Sequence, residues 1–360
     1  MNAAGFPDRC LLPKLGLALI FGLATSFAAE GSEDCGLPAD SCYDAGRSEF
    51  ERYQKQKLSE IARKSSNYRL PSQPIALFHP QRTEYSVLLI HGLNDSPFFM
   101  GDLADLLYRA GYNVLTILLP GHGTNTQEIR HIRAEQWLDE VAIGLKMAGL
   151  VGRKVVIGGF SLGGALALDA ALRESRIRGI LLFAPALRLP YFDSLYALSC
   201  VPALGGVSIN SKMGINPVKY KYRLLNGVCQ VYRLLNNRLD PEHSSAGLGL
   251  QKLDTLKEAA ARIRIPTFGC MTFSDQRVSS AAILEFFGAL NAPALLTTFG
   301  REPEDQTLKF ENGGEVVHSS DQGLPHSYLV RRTNSYNGQA NPHFDRLARI
   351  LLGFLKRNFD

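Results

Sequence analysis

The sequence predicts an α/β fold, a mostly parallel central sheet flanked by helices, with an insert ahead of a late strand. Three observations predict it. From Tyr85 onward, short apolar runs alternate with segments of helical period, as buried parallel strands and their crossover helices do. A glycine-flanked serine, Ser161, stands where one such run gives way to a helix-forming stretch. The alternation is interrupted once, between Arg188 and about Arg264, where an insert covers a site without disturbing the sheet.

The composition sets the outer bounds. At 360 residues, 45% hydrophobic and 20% charged, the chain buries a full core and reads as one globular unit. A formal charge of +5 without a long basic run excludes nucleic acid as a partner class.

At the N-terminus, Arg9 and Lys14 precede an apolar stretch from Leu15 to Ala28, and Ser26-Phe27-Ala28 fits a cleavage site. Residues 1–28 therefore read as a signal peptide, and the mature chain as exported, periplasmic or secreted. The competing reading is an uncleaved membrane anchor, for which the stretch is short of the roughly 20 residues a spanning helix needs. Export permits disulfides. Of six cysteines, Cys10 leaves with the signal, Cys35 and Cys42 form one expected bridge, Cys200 and Cys229 a second, and Cys270 is expected unpaired in a buried strand.

Residues 29–85 form an N-terminal extension, a helix and the first strands. Phe50, Tyr53, Leu58 and Ile61 predict an amphipathic helix over Ser48–Arg63, outside the main core. The strand runs are Val87–Ile90, Val114–Leu119, Val155–Ile157, Ile180–Phe183, Ile265–Phe273 and Ala294–Phe299. Leu103, Leu106, Leu107 and Ala110 mark one connecting helix, and Trp137, Val141 and Leu145 another. The last helix is capped by Asn341, has Pro342 in its first turn, and carries Phe344, Leu347, Leu351, Phe354 and Leu355 on one face. The core thus spans 86–187 and 265–360, with a cap over 188–264. Tyr-Arg-Leu-Leu-Asn occurs in the cap at Tyr222 and again at Tyr232, too close for a structural repeat.

Gly159-Phe160-Ser161-Leu162-Gly163 carries the chemistry. A bare Gly-x-Ser-x-Gly arises by chance about 0.2 times in such a chain, so its setting decides. Lys154–Gly158 leads into Ser161, and Leu162–Leu172 follows as a helix. Glycines two positions either side allow the sharp turn that exposes a nucleophilic hydroxyl. The new helix presents the Leu162 amide to a developing oxyanion. Upstream, His91-Gly92-Leu93 ends a buried strand and offers the Leu93 amide as a second donor; His91 itself reads as structural rather than as a base.

His91-Gly92, Leu119-Pro120-Gly121-His122-Gly123 and Gly159-Phe160-Ser161-Leu162-Gly163-Gly164, in this order, resemble the bacterial carboxylesterase and monoacylglycerol lipase group of α/β-hydrolases. The resemblance covers Val87 to Ala186 closely and the last strands loosely, and it implies the α/β-hydrolase fold. In that family an acid follows the strand after the cap, a position that Asp275 matches. At the C-terminal end of a strand a carboxylate can orient an imidazole; the alternative is an N-cap for the helix that follows. The family's histidine comes soon after the last strand, whereas here an apparent insert occupies Arg301–Gly323. His326 in Gly323-Leu324-Pro325-His326-Ser327 best resembles it. His318 is the rival, His343 reads as an exposed residue of the last helix, and His79, His131 and His243 lack a motif.

The resemblance implies a serine hydrolase acting on small-molecule or lipid carboxylic esters through Ser161, Asp275 and His326, with Leu93 and Leu162 as the oxyanion hole. Thioesterase, peptidase or acyltransferase chemistry uses the same residues, and a non-catalytic binding protein is the reading from another class. No metal or nucleotide motif occurs, and no cofactor is expected. From Arg188 to Asp240 there are seven basic residues and two acidic ones, with tyrosines interleaved, so the cap suits peripheral contact with an anionic membrane.

Overall fold

Helix α1 (Ala39–Lys64) precedes β1 (Ala76–Leu77), β2 (Thr83–Ile90), α2 (Gly101–Arg109), β3 (Asn113–Ile117), α3 (Ala134–Val151), β4 (Gly152–Phe160), α4 (Leu162–Arg173) and β5 (Ile177–Phe183). The interval read as a cap holds β6 (Ser208–Asn210), β7 (Tyr222–Leu224), α5 (Leu225–Asn236) and α6 (Leu253–Arg262). Then come β8 (Thr267–Thr272), α7 (Ser280–Gly288), β9 (Ala294–Phe299), β10 (Glu315–Ser320) and α8 (Phe344–Phe359). This computed structural model describes residues 36, 38–64, 72–190, 198–210, 220, 222–236, 253–301, 310–332 and 340–360. The expected signal peptide, Cys35 and His243 lie outside the described residues.

Among the described residues, eight strands form one sheet in the order β1-β3-β2-β4-β5-β8-β9-β10. Only the β1 edge pairs antiparallel; every other neighbour is parallel, as a buried sheet with crossover helices requires. Each of the six apolar runs supplies one of these strands, two of them running past its ends: Leu118 and Leu119 follow β3, and Ile265, Pro266 and Phe273 flank β8. Val87, Leu88, Leu89 and Ile90 are fully buried because helices cover both faces, and Trp137 of α3 is buried among them. β6 and β7 form a separate antiparallel pair.

The N-terminal helix is longer than its sequence pattern and is not outside the core. Tyr43, Phe50 and Tyr53 join the main cluster, and α1 packs on α3 so closely that a Cβ on Gly46 would stand 2.7 Å from Leu150 Cβ. Lys57 Nζ bonds Glu140 Oε2 of α3 at 2.7 Å in a buried ion pair. The interval read as an insert, Arg301–Gly323, contributes β10, a further parallel strand. The last helix begins at Phe344; the Asn341 carboxamide oxygen accepts the His343 N–H at 2.8 Å in a turn before it, so Asn341 and Pro342 are not its first residues. α6 packs against α7.

Chain order places the key edge. From β2 the chain steps to β3 on one side and then crosses to β4 on the other, from which it continues to β5, so β2 and β4 are neighbours whose outgoing connections run to opposite sides of the sheet. In open α/β sheets that is where a ligand crevice forms.

Candidate active site

Ser161 sits at the end of β4 with φ 56° and ψ −116°, a left-handed conformation unusual for a residue with a Cβ. Its neighbours hold the bend: Ser161 N–H donates to Phe183 O at 3.0 Å, and its carbonyl accepts Ala186 N–H at 2.9 Å. The two flanking glycines answer to crowding. A Cβ on Gly159 would meet Gly163 O at 2.0 Å, and one on Gly163 would meet Ile90 O at 2.1 Å. α4 starts at Leu162, whose amide lies in the first turn, where no intrahelical acceptor exists.

The loop after β2 lies against the serine: a Cβ on Gly92 would stand 3.2 Å from Ser161 Cβ. Two buried histidines hold this loop. His91 Nε2 accepts Leu119 N–H at 3.1 Å and its Nδ1 lies 2.9 Å from Gly92 O. His122 Nε2 accepts Asn94 N–H at 3.1 Å, with Nδ1 3.1 Å from Pro120 O. An accepting Nε2 leaves the ring proton on Nδ1 in each case. Burial pushes His91 down to about 4, and burial together with the neighbouring His91 pushes His122 down to about 3, so both are neutral near pH 7. His91 is therefore structural, as its strand-end position implies.

Asp275 and His326, 51 residues apart, are brought together: His326 Nδ1 lies 2.6 Å from Asp275 Oδ2, with both side chains largely buried. Asp275 Oδ1 accepts Arg277 N–H at 2.7 Å and Val278 N–H at 3.1 Å, which fixes the carboxylate. The N-cap of α7 is Ser279, whose hydroxyl accepts Ala282 N–H. The His326 loop is tied to β8, with Leu324 N–H donating to Thr272 Oγ1 at 3.0 Å and Ser274 Oγ to Leu324 O at 3.1 Å. The imidazole packs on Phe160, ring centroids 4.7 Å apart, which sets it beside the serine bend. No hydrogen bond joins Ser161 Oγ to His326, and His326 Nε2 has no partner among the described residues. His318 lies on edge strand β10, bonded to Thr298 Oγ1 and Asp321 Oδ1. His343 bonds Ser320 Oγ at 3.0 Å.

The segment between β5 and β8 reaches this edge through polar anchors that sequence reading missed. Tyr220 OH donates to Gly121 O and accepts Thr124 N–H, and Asn226 Nδ2 donates to Ile129 O and Ile132 O. Leu93 packs with Ile129, Tyr220 and Leu224. Cys200 and Cys229 are bridged, as expected; Cys42 is disulfide-bonded, and Cys270 is free and buried, its thiol pushed well up by burial. His122, by contrast, had a visible signal in its Pro-Gly-His-Gly motif.

The profile of the alpha/beta hydrolase family matches residues 87–306. The chain belongs to this family. Among curated relatives, a thermostable monoacylglycerol lipase of Bacillus sp. (strain H-257) is 30% identical over 113 residues, 31% of this chain and 45% of that protein. The phospholipase YtpA of Bacillus subtilis (strain 168) is 33% identical over 106 residues, 29% of this chain and 41% of that one. The chain thus spans less than half the length of these relatives. Among solved structures, one from a study of the metagenome-derived lipolytic enzymes LipS and LipT superposes with a TM-score of 0.57 at 19% identity, covering 81% of this chain and all 100% of that one. The monoglyceride lipase of Saccharomyces cerevisiae gives 0.56 at 14% identity over 79% of this chain and 91% of that one. At such identities the superpositions speak for the fold alone, that of an alpha/beta hydrolase.

Proposed function

We propose that the protein is a serine hydrolase of carboxylic esters, with Ser161 as nucleophile, His326 as base and Asp275 as its orienting acid. One observation carries the reading: the 2.6 Å contact between His326 Nδ1 and Asp275 Oδ2, which leaves Nε2 as the remaining nitrogen of a ring packed against Phe160, the residue before Ser161. A carboxylate on Nδ1 holds the tautomer in which Nε2 accepts a proton. Ser161 Oγ attacks the ester carbonyl as His326 takes its proton, and the Leu93 and Leu162 amides stabilise the oxyanion. Collapse expels the alcohol, which receives the proton from His326. Water, deprotonated by His326, attacks the acyl-enzyme and frees the acid and Ser161. The nucleophile–base hydrogen bond forms as the substrate is bound, since such bonds are often long in unliganded sites.

The lipase and phospholipase relatives support a lipid ester as substrate class. Hydrolysis of p-nitrophenyl esters of increasing acyl length, by the purified chain and by Ser161→Ala, tests the assignment. Turnover lost in the variant is the expected result, and equal rates overturn it. Parallel thioester and amide substrates separate the related chemistries.

We further read residues 188–264 as a cap whose outer side meets anionic lipid. Leu198, Val201 and Val207 are exposed on it, and the basic excess of Arg188–Asp240 accompanies them. Sedimentation with phosphatidylglycerol vesicles is expected to exceed that with phosphatidylcholine; equal partition removes this reading. Export, or anchoring by the N-terminal segment, follows the same line: the Cys200–Cys229 bridge suits an oxidising compartment, and no helix among the described residues is long and apolar enough to cross a membrane.

A further inference from the structure

We infer that helix α1 sets the direction of an oxyanion donor, with Tyr53 as a positioning residue acting on the Leu93 amide through Leu118, Leu119 and His91. The inference rests on the reading of Ser161, His326, Asp275 and the Leu93 amide given above. α1 lies wholly ahead of residue 87, where the family match begins.

The links are consecutive hydrogen bonds. The Tyr53 hydroxyl accepts Leu118 N–H at 2.9 Å, just beyond the last paired residues of β2 and β3, Ile90 and Ile117. In extended chain successive amides point to opposite sides, so Leu119 N–H turns towards β2 and donates to His91 Nε2 at 3.1 Å. That bond fixes the tautomer, and the Nδ1–H of the same ring donates to Gly92 O at 2.9 Å. The Gly92 carbonyl and the Leu93 N–H belong to one planar peptide unit. Holding the carbonyl oxygen therefore aims the N–H in the opposite direction, and the plane cannot turn without breaking the His91 bond. His122 fixes the following amide, that of Asn94.

Tyr53 is itself immobilised. It is buried, and its ring lies beneath the Lys57 ammonium, which is paired with Glu140 of α3. Burial, reinforced by the charge of the Glu140 carboxylate, holds the phenol well above its ordinary range and so protonated. The end of β3 thus has a fixed acceptor where the ladder stops, in place of water.

The test uses the full chain with p-nitrophenyl butyrate and a trifluoromethyl ketone of matched chain length, which adds to a serine hydroxyl to give a tetrahedral oxyanion. Tyr53→Phe is expected to lower kcat about 10-fold, less than the roughly 10²-fold lost when a donor is removed outright, with KM little changed. Affinity for the ketone is expected to fall by the same factor. Tyr43→Phe makes the same chemical change on the same helix, where the hydroxyl bonds His79 O away from the loop, and is expected to leave kcat and ketone affinity unchanged. His91→Asn keeps an N–H where Nδ1 stands and is expected to retain more kcat than His91→Leu, which keeps the inference testable should Tyr53→Phe fold poorly. Unchanged kcat in Tyr53→Phe, equal losses in both tyrosine variants, or equal losses in both His91 variants overturns it. Full turnover by Ser161→Ala would instead sink the underlying reading of the reaction, whatever the tyrosine variants do.

Discussion

Gly159 and Gly163 face each other across the Ser161 bend so closely that a Cβ on the first would stand 2.0 Å from the carbonyl oxygen of the second. Backbone on both sides leaves nothing flexible to give way. Gly159→Ala is expected to cost about 3 kcal/mol or more of stability and to abolish turnover. Gly353, exposed within α8 with nothing within 4 Å of its added Cβ, is the contrast: Gly353→Ala should stabilise by about 0.5–1 kcal/mol. Thermal unfolding of the two variants beside the parent reads both values.

Asp275→Asn tests the orienting role. Replacing the carboxylate that holds Nδ1–H should lower kcat about 10³- to 10⁴-fold with KM little altered. His326→Ala should be at least as severe, whereas His318→Ala, on edge strand β10, should keep parental kcat. A kcat loss on His318→Ala that matched His326→Ala would reverse the choice of base.

Acid stability follows from the two buried histidines. Their folded pKa values, about 4 for His91 and about 3 for His122, lie below the unfolded value near 6.5, so between those limits the unfolded chain binds more protons. Stability contributed by the neutral rings is complete above about pH 6.5 and is lost as pH falls towards 4 and then 3, on the order of a few kcal/mol for each ring. Urea unfolding at intervals from pH 7 to pH 4 should show a steady decline, and a flat profile would contradict it.

The Cys200–Cys229 bridge closes a 29-residue separation and ties the exposed Leu198–Val201 turn to α5. Chain entropy assigns such a loop about 3–4 kcal/mol. Cys200→Ser with Cys229→Ser should lower Tm and loosen this segment first, seen as faster amide exchange at Asn226 and Gln230 than in the core strands.

Much of this architecture was legible because buried strands advertise themselves: Val87–Ile90 and Ile180–Phe183 are apolar on both faces and lie in the sheet as read. β10 was not, since Glu315-Val-Val-His-Ser-Ser is only partly buried on an edge and its composition resembles a loop. The twin Tyr-Arg-Leu-Leu-Asn segments mark the limit of local pattern. In the first, Tyr222–Leu224 pairs with Ser208–Asn210 as strand, while the second lies in α5. Asp275 was singled out by its place after a strand and His326 by the order of motifs, and the two side chains meet at 2.6 Å. The ties made by Tyr53, His91 and His122 span 65, 28 and 28 residues and repeat no period, so the bonds themselves have no local signature, although the His91-Gly92 and Pro-Gly-His122-Gly motifs mark where two of the rings stand.

The backbone of Ser161 has a consequence for how this protein can change. Holding a side-chain-bearing residue at φ 56° and ψ −116° costs on the order of 1–3 kcal/mol, which glycine relieves at a loss of up to about 1 kcal/mol through its freer unfolded chain. Ser161→Gly should thus be inert yet survive higher temperatures than its parent. Selection for heat resistance alone would drive the position towards glycine, so on the proposed role of Ser161 as nucleophile the serine is held there by its hydroxyl against the preference of its own backbone.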